Sequence, residues 1–175
     1  PIVTHVTWTT LMLRYLPLFR RRGAARIVVA CLPPLTRLVN ALPAVDAVIG
    51  MEDPVPPGVD LHCPIMSLPH LFGTLAETVP AAVPYIAAAP ELSAPWQRRL
   101  ETYAGKKVGL VWAGSRTQKT DARRSLPFAC LVPLLAVPGI RFVSLQKEVP
   151  SDDDRLLDWM AACGDLFDTA ALISC

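Results

Sequence analysis

The sequence has no apolar run long enough to span a bilayer, because prolines and charged residues interrupt each one. No membrane span is therefore expected. It also lacks an excess of either charge. Its 17 lysines and arginines nearly balance 15 aspartates and glutamates, and the formal net charge is +2. That is too small to point to nucleic acid as a partner. The one dense basic cluster, Arg20-Arg21-Arg22, ends a predicted helix, where it complements the negative end of the helix dipole. Cysteine is sparse and unpaired. Cys31, Cys63, Cys130, Cys163 and Cys175 are odd in number and contain no CxxC or CxxH spacing. Neither a metal site nor a disulfide framework follows, no cofactor is expected, and a reducing cytoplasm fits. Four of the five lie in apolar segments, where cysteine acts as a small buried hydrophobe. No Ser/His/Asp triad can be assembled from spacing. The chain opens at Pro1 without a methionine or a signal-peptide pattern, so it reads as a piece of something longer. Apolar residues, in contrast, are plentiful: 52% hydrophobic against 18% charged. That excludes disorder and supplies a core.

The pattern alternates strand and helix. Residues 1–6 read as a first strand, 11–22 as an amphipathic helix stopped by Gly23, and 26–32 (RIVVACL) as a strand buried on both faces. Pro33-Pro34 opens a helix through Leu42, followed by a short strand over 47–51 and a proline-rich loop over 52–58. VDLHCPIM at 59–66 predicts another strand, and Ser67 an N-cap for a helix over 68–78. Pro80, Pro84, Pro90 and Pro95 mark a connection that leads into a helix over 95–103. After Gly105 the alternation resumes: a strand over 107–112, a helix over 126–137, a strand over 140–146, then helices over 152–163 and from 168 onward. Such alternation implies α/β architecture with parallel sheets in two units. The second unit has only two clear strands, and Cys175 falls where a further strand is expected, so its C-terminal part is read as missing.

The most informative stretch is VGLVWAGSRTQKTDARRSLP at 108–127. A buried strand breaks at Ala113-Gly114-Ser115 into a loop carrying Arg116, Lys119, Arg123 and Arg124, and Ser125 precedes an apolar helical stretch. A strand, a Gly-Ser turn, a cationic loop and a helix start together form an arrangement by which open α/β sheets hold phosphate-bearing ligands.

Six segments carry a resemblance: RYLPLFRRRGA at 14–24, DLHCPIMSLPHLFGT at 60–74, VPYI at 83–86, the 108–127 stretch, FVSLQKE at 142–148 and FDTAALIS at 167–174. Together they resemble the glycosyltransferase-like region that follows tetratricopeptide repeats in many bacterial proteins. That region is similar to O-linked N-acetylglucosamine transferases and to ADP-heptose:lipopolysaccharide heptosyltransferases. The resemblance implies a GT-B-like fold, two Rossmann-like lobes with a nucleotide-sugar donor in the cleft. On it, residues 1–88 form the N-terminal lobe, 89–104 a linker and helix, and 105–175 a partial donor-binding lobe. It also implies a UDP- or ADP-sugar donor, a protein or saccharide acceptor, and tetratricopeptide repeats in cis. Two departures stand out. Thr7 and Trp8 stand where related proteins have a Gly-Asp turn, and a tryptophan cannot take a proton. The family's downstream Asp-Thr…His-Leu-Ala-Gly motif is expected beyond Cys175. The second functional reading is accordingly a degenerate, non-catalytic binding or scaffolding module, and this chain alone is expected to be inactive.

Each candidate residue has an ordinary structural alternative. The resemblance places Lys119 near the donor phosphates, and Ser115, Arg123 and Arg124 are read from their own chemistry as further donor-phosphate contacts. The alternatives are a turn serine, a solvated lysine, and an arginine paired with Asp121. Lys119 would stabilise leaving-group charge as the glycosidic bond breaks. Gln146 and Lys147 follow a strand and would touch the nucleotide, or would simply form a polar strand-end loop. His62 is the one catalytic candidate, at the end of its predicted strand. A buried, hydrogen-bonded histidine is the alternative, and His70 is read the same way. Ser125 is read as a helix N-cap and Trp112 as core. Asp152-Asp153-Asp154 is read as a capped helix start rather than a metal cluster.

Overall fold

The computed structural model describes residues 6–115, 119, 121–148 and 150–175. The strand expected over 1–6, apart from Val6, falls outside them, as do His5 and Arg116. The chain divides into two compact units, Pro1–Ala87 and Ala88–Cys175. Both are mixed α/β with a parallel sheet, a Rossmann-like character.

The first unit opens with helix α1 (Val6–Met12), a 3-10 turn (Leu13–Tyr15) and helix α2 (Leu16–Arg21). The helical stretch thus begins five residues before the expected Leu11. Nothing between Val6 and Leu16 breaks a helix, and Thr9, Met12, Leu13 and Leu16 bury one stripe at helical spacing. Beyond α2, Arg20 donates to the carbonyls of Ala24 (3.1 Å) and Ala25 (2.7 Å) and pairs with Asp46. Strands β1 (Val28–Cys31) and β2 (Ala47–Gly50) pair in parallel, with Val28 opposite Ala47 and Cys31 opposite Gly50. The chain between them makes a 3-10 turn (Pro33–Leu35) and helix α3 (Thr36–Asn40), whose Val39 is fully buried beside the turn's Leu35.

The expected strand over 59–66 does not form. Residues 59–64 lie outside any ladder, and Leu61 is 89% exposed. Pro56, Pro57 and Pro64 bracket the run and cannot donate to a sheet. A 3-10 turn (Ile65–Ser67) and helix α4 (Leu68–Leu71) follow, and Ser67 makes no side-chain cap. The helix stops at Gly73 rather than reaching Thr78. Leu68 and Phe72 pack on α1 and α2, with the Phe72 ring 5.0 Å from that of Phe19.

The second unit begins with helix α5 (Pro90–Glu101), part of the segment expected to link the lobes. Strands β3 (Lys106–Leu110), β4 (Ile140–Ser144) and β5 (Leu156–Asp158) form a parallel sheet in that order. Helix α6 (Leu166–Ile173) follows, capped by Asp165, whose Oδ1 accepts from the N–H groups of Phe167 and Asp168. Alternating residues of β4 face two cores. Val143 packs with Leu100, Trp159 and Leu172, and Phe142 with Trp112, Leu135 and Leu156. Trp96 stacks on Trp159 at 5.9 Å, and the Arg99 guanidinium lies 4.5 Å from the Trp159 ring centre.

Two expected helices are absent here. Residues 126–137 form 3-10 turns (Phe128–Leu131, Leu134–Ala136), because Pro133 removes the N–H that a helix would aim at Ala129. Residues 152–163 form β5 and a 3-10 turn (Met160–Ala162). Asp153 folds back instead, accepting from the Arg155 N–H at 3.1 Å and, through its carbonyl, from the Leu156 N–H at 3.0 Å. The acidic triplet is thus a turn before a strand, not a helix start.

Among the described residues no helix is long and apolar enough to cross a membrane, and no cluster of metal-binding side chains occurs. All five cysteines are thiols, but only Cys31 is buried; Cys63, Cys130 and Cys175 are exposed. Short 3-10 and coil segments hold the others where longer elements were expected to cover them. Burial pushes the Cys31 thiol above its ordinary value.

Candidate functional site

Strands β3 and β4 end level with each other, Leu110 opposite Ser144. The Leu145 N–H reaches across to the Leu110 carbonyl at 2.9 Å, so both chains leave the sheet at one carboxyl edge. In parallel α/β sheets that edge is where ligands gather. The loop from Val111 onward and the segment from Leu145 to Glu148 both run there.

Gln146 holds the two together. It is 3% exposed. Its Oε1 accepts from the N–H groups of Trp112 (3.1 Å) and Ala113 (2.9 Å). Its Nε2 donates to the carbonyls of Ala113 (3.0 Å) and Glu148. Both oxygen lone pairs and both amide hydrogens thus serve the backbone. In this structure Gln146 positions the loop and presents no group to a nucleotide.

The next residues form a second closed circuit. The Gly114 N–H donates to Ser125 Oγ at 2.9 Å, and that hydroxyl donates to Asp121 Oδ1 at 2.6 Å. Arg124 Nε lies 3.4 Å from the same oxygen. The Asp121 carbonyl also accepts from the N–H groups of Arg124 and Ser125, both at 2.9 Å. A Cβ at 114 would sit 2.4 Å from Arg124 Nη2 and 2.8 Å from Asp121 Oδ1, so any larger residue would push the arginine and the carboxylate aside. The closeness of backbone at Gly114 therefore admits the protein's own arginine.

These contacts change the expected phosphate cradle. The successive N–H groups of Trp112, Ala113 and Gly114 all have internal acceptors. An anion at this edge therefore finds none of these three N–H groups free. Of the candidates, Lys119, Arg123, Arg124 and Lys147 are exposed, and Ser115 is half-buried. Arg124 takes up the pairing with Asp121 that one arginine was expected to make. Ser125 is not a helix N-cap, since no α-helix follows it; its hydroxyl bridges Gly114 and Asp121 instead. Trp112 is core as expected, packed against Phe128 at 4.9 Å, and its buried indole Nε1 has no hydrogen-bond partner.

His62 belongs to the first unit and is exposed, as is His70. Neither is the buried, hydrogen-bonded histidine read as the ordinary alternative. The strand whose end was to carry His62 does not exist. Thr7 and Trp8 lie on α1, and Trp8 is 49% exposed. The sequence reading missed the clamp made by Gln146 and the Ser125 contact of Asp121, though not the pairing of Asp121 with an arginine. Asp121, Arg124 and Ser125 do carry a signal, the i, i+3 and i+4 spacing at which side chains of one turn meet. Gln146 carries none, because the loop residues it clamps, Trp112 and Ala113, lie more than thirty positions away.

Fold and edge together define an α/β protein with parallel sheets and a cationic loop at the carboxyl end of one of them. Over 80 residues, 45% of the chain, it is 38% identical to Protein FlbA of Caulobacter vibrioides. The chain spans 13% of that protein's length. Neither a protein-family model nor a solved structure matches it.

Proposed function

We propose that the second unit binds the diphosphate of a nucleotide-sugar, UDP- or ADP-linked, and that the chain is a GT-B-like glycosyltransferase region of a cytoplasmic tetratricopeptide-repeat protein. The acceptor in that reading is a protein or a saccharide. The observation that carries it is the set of exposed cations, Lys119, Arg123, Arg124 and Lys147, at or beside the carboxyl edge of a parallel sheet. A mobile ammonium at Lys119 suits a diphosphate whose negative charge grows as the sugar leaves.

A second reading, donor binding without transfer, is favoured by the first unit. A base carried on a glycine turn would be needed near residues 7 and 8. That stretch is regular helix, and Trp8 has no proton-accepting group. Transfer by this chain is therefore not part of the proposal.

Calorimetric titration of the chain with UDP- and ADP-sugars tests the reading. Saturable binding is expected, weakened about ten-fold by Lys119→Ala, in line with loss of one charge-assisted hydrogen bond. Binding unchanged in that variant would overturn the role of Lys119, and no binding to either donor would overturn the reading itself.

A further inference from the structure

We propose that the Asp121 carboxylate is a resident anion, occupying the place that a ligand phosphate takes over on binding. The inference rests on the donor-phosphate reading above and adds a competitor to it.

Asp121 Oδ1 receives what an incoming phosphate oxygen would need: the Ser125 hydroxyl at 2.6 Å and Arg124 Nε at 3.4 Å. Behind the serine stands the Gly114 N–H, 2.9 Å from its oxygen, so the circuit begins at a backbone donor and ends on a carboxylate. The glycine leaves the room that lets guanidinium and carboxylate close over the backbone. The ionic contact is long, and Arg124 keeps 54% of its side chain exposed while Asp121 keeps 18%. An ion pair this long, solvated on its arginine side, is weak. A diphosphate, with more charge and more acceptor oxygens, can displace the carboxylate from Arg124 and Ser125. The carboxylate then turns outward, and its own negative charge opposes the ligand. Asp121 thus holds Arg124 in place, at the cost of some affinity.

Asp121→Asn isolates the charge, because the amide oxygen still accepts from Ser125. Inorganic pyrophosphate, UDP and ADP are titrated into the wild-type chain and into this variant. Asp154→Asn, which makes the same charge change at an exposed position outside the circuit, is the control. Pyrophosphate binding about five-fold tighter in Asp121→Asn is expected, the equivalent of one weak surface ion pair. Little change is expected in Asp154→Asn, and Arg124→Ala should cancel the gain. If the wild type binds and Lys119→Ala weakens it while Asp121→Asn gives no gain, the resident anion is overturned and the donor reading stands. If Asp121→Asn tightens pyrophosphate but neither UDP nor ADP binds, the resident anion stands and the donor reading falls. An equal gain in Asp154→Asn reduces the effect to overall charge and overturns the inference, as does absence of pyrophosphate binding in every variant.

Discussion

Gln146 shows how one buried amide fixes a loop. Its removal would leave the N–H groups of Trp112 and Ala113 and the Ala113 carbonyl without their partner beside a sealed core. Each unpaired buried group costs roughly 1–3 kcal/mol, so with three groups affected Gln146→Ala should lower the stability of the second unit by about 3 kcal/mol or more. Hydrogen exchange at the Trp112 and Ala113 amides should accelerate with it, and unchanged protection there would contradict the clamp. The same residue marks the limit of sequence reading. The sequence places a glutamine after a strand, at a ligand edge, and a nucleotide contact is the natural inference. Which way its amide turns depends on a loop distant in sequence. The exposure of Lys119 and Arg123 was legible, because long cationic side chains in a loop keep their charge in water. Gly114 was legible as a close-approach point, but not what approaches it.

At the scale of elements, prolines decided where the pattern could be trusted. Strands β1 to β4 follow predominantly apolar runs and appear within two residues of expectation at every end. The helix over 126–137 and the strand over 59–66 fail where proline removes a backbone donor. The third strand of the second sheet was hidden because an acidic triplet before Leu156 imitates a helix start. Turn glycines bear weight in turn. Gly105 has φ +90°, and a Cβ there would meet the Gly139 carbonyl oxygen at 2.5 Å, just where β3 enters the sheet. Gly105→Ala should cost about 1–3 kcal/mol or more, read as a lower urea midpoint for the second unit; an unshifted midpoint would refute it. In the first unit Asp46 ties the end of α2 to the start of β1. Its carboxyl is held below the ordinary 3.8 first by the Arg20 hydrogen bond, then by the Ile27 N–H. A lowered folded value stabilises fully above the ordinary carboxylate range and is lost as pH falls through the lowered value. The stability gap between wild type and Asp46→Asn should therefore be constant near neutrality and shrink below pH 3.8. A gap that does not change with pH would contradict the tie. Asp153 acts the same way through Arg155, across the window from 3.8 to about 2.

At the scale of the whole molecule, the two units carry different evidence. The second has a parallel three-stranded sheet, a clamped loop and exposed cations at its carboxyl edge. The first has a regular helix over Val6–Met12, where the proposed family relationship would call for a glycine turn. On the proposed reading, ligand binding and transfer therefore separate. The chain should bind a nucleotide-sugar without turning it over, and measurable sugar transfer to any acceptor would contradict that separation. The two-strand second unit read from the sequence was too sparse, since alternation counts strands only where their flanks are unambiguous. The most direct measurement is a backbone amide chemical-shift map of the chain titrated with UDP. Shifts are expected at Gly114, Lys119, Arg123 to Ser125 and Lys147, with β1 and β2 unmoved. Shifts confined to the first unit, or none at saturating UDP, would contradict a phosphate site at the edge of the second sheet.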